Sequence, residues 1–125
     1  MSVKSVLDSF TATGDQVGSE LSTNGRLKDL TLIISADSGG SAGGSADIDL
    51  KLPDGTWSTN IFESNGGTQI TLSVGGSVVT KLFSAYPSSV ALNGIEALCV
   101  QAARVHLNLS SVTGTLKTVL TAQDV

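Results

Sequence analysis

Asp47 and Asp49 stand two residues apart in the alternating segment ADIDLK, residues 46–51, and so share one face of an extended chain. With Asp37 or Asp54 they would offer oxygen ligands to a hard cation. Calcium takes six or more oxygens from a shaped loop, however, and no EF-hand spacing is present. The expectation is a solvated strand face and no metal site. Paired carboxylates also carry out glycoside hydrolysis, but that needs a flanking cleft with aromatic sugar platforms. One Trp, one Tyr and three Phe equip the chain poorly for it.

His106 is the sole histidine and alternates with Asn108 and Arg104 on the polar face of a strand. A general base needs a positioned partner and an activated nucleophile, and no Ser or Cys lies in a strand–turn–helix elbow. His106 is therefore read as a surface residue. Cys99, the single cysteine, has apolar neighbours and is read as a buried, inert thiol. Alone, it excludes an intrachain disulfide and a cysteine-based zinc site. Trp57 follows a turn and is read as a packing or contact residue rather than a sugar platform. Residues 38–44 (SGGSAGG) are rich in glycine, but no Lys-Ser/Thr follows and the next segment is a strand. A phosphate cradle is rejected on that ground, and the segment is read as a flexible connection. Asn108-Leu109-Ser110 matches the glycosylation acceptor pattern and is taken as a chance match. The residues thus point to no catalytic, cofactor-binding or metal site.

The elements that position these groups are strands. The length of 125 residues suits one domain, and charged residues make up only 14 % against 40 % hydrophobic. Abundant Gly, Ser and Thr with β-branched residues favour short strands and tight turns. The net charge is −4, and the seven Lys and Arg are scattered, so a phosphate-neutralising patch is not expected. No apolar run approaches the ~20 residues of a membrane span. The first ten residues, MSVKSVLDSF, lack the apolar centre of a secretory signal, so a soluble chain is expected.

The clearest hairpin is residues 46–62. Ile48, Leu50 and Leu52 alternate with the charged residues; Pro53-Asp54-Gly55 turns the chain, and Thr56, Trp57, Thr59 and Ile61 return. Residues 30–36, 70–74, 78–83 and 105–109 read as further strands, the second and third joined as a tight hairpin through Gly75-Gly76-Ser77. Residues 88–92 make a short one, and 116–122 follow a turn at Val112–Thr115. Residues 93–104 (NGIEALCVQAAR) have the one helical option, a short turn near 95–103. Residues 1–28 read as an N-terminal arm or a first strand with loop, before a sandwich over 29–125. The fold expected is an all-β antiparallel sandwich, jelly-roll or immunoglobulin-like, of about eight strands.

The hairpin LKLPDGTW (residues 50–57), with ARVHLNLSSVTGTLKTVLTA (residues 103–122) about fifty residues on, resembles small β-sandwich structural proteins of tailed bacteriophages. In that group a DGTW hairpin lies mid-chain and a V-R-x-x-x-x-S-x-x-G-T hairpin closes the sheet; here Arg104 precedes Val105. The resemblance implies a virion component without catalysis, made in the host cytoplasm and carried on the capsid surface. Its most direct form is a capsid decoration (cement) protein, often a homotrimer, bound to the major capsid protein; a head-fibre or tail protein is another. Residues 1–28 would serve as the attachment arm, with the tips at 38–44 and 53–57 at contacts or facing solvent. The rival reading is a carbohydrate-binding or receptor-binding module of a phage tail or fibre that uses Trp57 and Tyr86 as platforms. Neither reading involves a cofactor, nucleic acid or a membrane.

Overall fold

The computed structural model describes residues 2–22, 27–37, 39–52, 54–59, 70–75, 78–82 and 101–124. In chain order the strands are β1 (Ser2–Phe10), β2 (Gly14–Val17), β3 (Leu21–Ser22), β4 (Leu27–Ala36) and β5 (Ser41–Lys51). They continue with β6 (Trp57–Ser58), β7 (Ile70–Gly75), β8 (Val78–Leu82), β9 (Ala102–Thr113) and β10 (Leu116–Asp124). β1, β10, β4 and β8 form sheet A in that order. In sheet B the long strands β9 and β5 are the central pair; β2 and β3 line the other side of β9, and β6 and β7 the other side of β5. Every pairing is antiparallel, and no helix occurs among the described residues. The protein is an all-β antiparallel sandwich.

Alternation at period two builds the core between the sheets. Leu30, Leu32 and Ile34 of β4 face Ile48 and Leu50 of β5 and Val105, Leu107 and Leu109 of β9, all nearly inaccessible to solvent. Each such side chain contributes about 1.5–3 kcal/mol on burial. The residues between them in β5 and β9 point the other way, and this fixes where the polar side chains of sheet B gather.

The turn after β5 follows the chemistry of its residues. The Gly55 amide donates to the Leu52 carbonyl at 2.9 Å, and Gly55 has φ 88°. The Leu52 amide then donates to the Thr56 carbonyl at 2.7 Å, setting Lys51 opposite Trp57. Asp54 Oδ1 accepts from the Thr56 hydroxyl at 2.6 Å and the Thr56 amide at 3.0 Å. Those two bonds, the hydroxyl's first, hold the Asp54 carboxyl below the usual carboxylate range.

Four expectations are corrected. β5 begins at Ser41, so half of the Gly-rich stretch at 38–44 is strand, not loose connection. The glycines there serve close approach. Gly43 pairs with Ser111 and Gly44 with Leu109, leaving Ser110 as the extra residue of a β-bulge. Gly44 has φ +133°, and a Cβ on it would collide with the Asn108 carbonyl oxygen. Secondly, β7 and β8 form no hairpin, because β7 pairs with β5 in sheet B and β8 with β4 in sheet A. Thirdly, β9 and β10 likewise lie in different sheets, so the Gly114 reversal crosses the sandwich instead of closing a hairpin. Fourthly, Ala102 and Ala103 are extended and paired with Lys51 and Leu50, so the expected helical turn does not reach them. Residues 95–100 of that turn, with Cys99, as well as Tyr86 and the strand expected at 88–92, lie outside the described residues.

Of residues 1–28, β1 pairs along its whole length with β10, and β2 and β3 pair with β9. Leu21 and Phe10 reach the core.

Candidate functional site

The polar side chains of sheet B meet because of register. β5 and β9 are antiparallel neighbours with Asp47 opposite His106 and Asp49 opposite Arg104. On the far side of β9, β2 sets Asp15 opposite Asn108 and Val17 opposite His106. Directly opposite and diagonal neighbours on one face are within side-chain reach. Asp49 therefore faces Arg104 directly and His106 diagonally, and His106 faces Asp15 diagonally on its other side.

Contacts follow that placement. Arg104 Nε donates to Asp49 Oδ2 at 2.8 Å, and His106 Nδ1 lies 2.9 Å from Asp49 Oδ1. His106 Nε2 lies 2.6 Å from Asp15 Oδ1. The Arg104 guanidinium also sits 4.2 Å from the centroid of the Trp57 ring, with Lys51 Nζ at 5.9 Å from it. Lys51 continues to Glu20 at 3.3 Å. A continuous chain of charge thus runs across β2, β9, β5 and β6.

Burial grades this chain from one end to the other. The Asp49 side chain is 0 % exposed, His106 12 %, Arg104 22 % and Asp15 74 %. Two expectations fall here. Asp47 and Asp49 do not form a solvated face: both are buried. The reason for Asp49 is that Arg104 and His106 lie against its two oxygens, and Asp47 Oδ1 accepts from the Ile48 amide at 2.7 Å. His106 is not a surface residue either, because it is wedged between carboxylates from two different strands.

Charge on His106 is favoured by that wedge. Burial of the ring is the largest single influence and opposes protonation, but the hydrogen bonds and negative charges of Asp49 and Asp15 together outweigh it. Its pKa is raised above the ordinary 6.5. Both ring nitrogens and both Asp49 oxygens are engaged within the cluster.

Asp37 and Asp54 do not join it. Asp37 pairs with Lys117 at 3.2 Å, and Asp54 is spent on its own turn. Among the described residues no group of three or more His, Cys, Asp or Glu is arranged to hold a metal ion. Trp57 is half-buried with a guanidinium on its ring, a packing role. The sequence did hold a signal for this cluster: Asp-x-Asp at 47 and 49 against Arg-x-His at 104 and 106 is a complementary charge pattern at strand spacing.

The fold and the cluster together define a class: an antiparallel β-sandwich with a buried ionic network across the outer face of one sheet. No family model, no curated protein and no solved structure matches the chain.

Proposed function

We propose that this chain is a non-enzymatic structural subunit of a virion of the tailed-phage type, a capsid decoration protein that docks on the major capsid protein. The observation that carries the reading is the outer face of sheet A. Register sets Leu7, Val119 and Ile33 in one row across β1, β10 and β4. The rows beside it are Ser5, Thr121 and Thr31, then Ser9, Lys117 and Ser35. Lys117 is the one charged side chain in these three rows, and it is paired with Asp37. Leu7 is 74 % exposed and Val3, on the same face of the edge strand β1, is 66 % exposed.

Three rows of sheet face with a single charge among them and protruding aliphatic side chains suit repeated docking on a larger surface, where modest contacts add up by multivalency. The resemblance of residues 50–57 and 103–122 to phage sandwich proteins supports the same reading. Mass spectrometry of purified particles from the parent genome, with immunogold labelling of heads against tails, tests it. Label on capsids is the expected result; absence from intact particles discards the proposal.

A further inference from the structure

We propose that the bridge from Asp15 through His106 to Asp49 is a proton-operated clasp that holds the edge strand β2 onto β9. β2 needs such a device. Its side chains are exposed except Gln16, which is half-buried, and none enters the core. Apart from the four-residue backbone ladder to β9, its hold on the sheet among the described residues is Asp15 on His106. The chain just beyond β2 is anchored separately: the Gly18 amide donates to the Val105 carbonyl at 2.9 Å, and Ser19 is tied to the Asp8 carboxylate. Opening would therefore stop short of Gly18.

The geometry suits a doubly protonated ring. Asp49 Oδ2 is taken by Arg104 Nε, and Oδ1 faces His106 Nδ1, which must donate to it. The other nitrogen, Nε2, lies 2.6 Å from Asp15 Oδ1. Two lone pairs do not approach so closely, so a proton lies between them, and with both carboxylates ionised the ring is an imidazolium donating from both sides. The charged groups facing the ring are Asp15 from β2, Asp49 and Asp47 from β5, and Arg104 from its own strand. Loss of the proton leaves Nε2 as a bare acceptor against a carboxylate. Asp15, already largely in solvent, then turns away and β2 loosens, baring a row of β9 backbone groups of the kind an extended segment adds to.

The direction in pH follows from the raised pKa of His106. The clasp is closed while the ring carries its proton and is lost as pH rises through the raised His106 value. Amide hydrogen exchange of residues 14–17 in the full chain, corrected for the exchange chemistry of free amides, reads it over the range of about pH 5 to 9 in which histidine titrates. Protection of β2 should fall on the order of tenfold for each unit by which contact with Asp15 raises the His106 pKa. The midpoint should coincide with that of the His106 ring protons by NMR. Asp15→Asn can present either a carbonyl or an N–H to the ring, so its protection should not step with pH, whereas Asp15→Ala should be weakly protected throughout. A wild-type protection that stays flat across the His106 titration overturns the proposal, as does an equal step in Asp15→Asn.

Discussion

Asp49 and His106, 57 positions apart in the chain, meet at 2.9 Å because β5 and β9 pair in a register that sets Asp47, not Asp49, opposite the histidine. The diagonal contact engages Asp49 Oδ1, and Arg104 Nε, directly opposite, donates to Oδ2. One buried carboxylate thus holds two basic side chains from one strand, and Arg104 in turn rests on Trp57.

Removing that carboxylate should be costly. Asp49→Ala strands a guanidinium and an imidazole in a half-buried site, and breaking a buried pair from one side typically costs about 3–5 kcal/mol. Asp15→Ala, at the 74 % exposed end, should cost under about 1 kcal/mol. Urea unfolding of both variants at neutral pH makes the comparison. Equal losses would mean that the network does not hang on its buried member.

How much of this was legible depends on which interactions were local. The alternation of Leu30, Leu32 and Ile34, and of Val105, Leu107 and Leu109, fixes extended structure and the buried face within a few residues of chain. Sheet membership is not local. Gly75 and Gly114 announce reversals, yet a reversal serves a hairpin or a crossing between layers equally well, and here the chain crosses. The outward direction of Asp49 was readable, but its burial depends on Arg104, 55 positions away. Asp15 lies in a stretch without apolar periodicity, so nothing local tied it to His106.

Gly44 offers a test of the bulge. Its φ of +133° and the Asn108 carbonyl in the place of a Cβ leave no room for alanine without shifting β5 against β9. Gly44→Ala should lose about 2 kcal/mol or more, in line with backbone strain compounded by overpacking. Gly75→Ala meets nothing within 4 Å and should stay within about 0.5 kcal/mol of wild type. Thermal unfolding of the pair would expose a misplaced bulge as two equally mild variants.

Leu7 separates docking from folding. Its side chain is 74 % exposed on an edge strand, so Leu7→Lys should change stability by no more than about 0.5 kcal/mol. If the outer face of sheet A meets the capsid, the same change should cut occupancy on particles several-fold by burying a charge in the contact. Retained occupancy with a folded Leu7→Lys variant would move the contact to another face.

Thr118 sits on the inward side of β10 between Leu116 and Leu120, 1 % exposed, and its hydroxyl has no hydrogen-bond partner among the described residues. An unsatisfied buried hydroxyl costs about 1–3 kcal/mol, and valine has nearly the same shape without that cost. Thr118→Val should therefore raise the urea midpoint by an amount worth about 1 kcal/mol at unchanged slope. Thr118→Ser keeps the hydroxyl and deletes the methyl, so it should be destabilised by about 1 kcal/mol through lost packing. The two variants move in opposite directions only if the methyl packs and the hydroxyl is unpaired. A loss of stability in Thr118→Val would show that the oxygen is bonded after all.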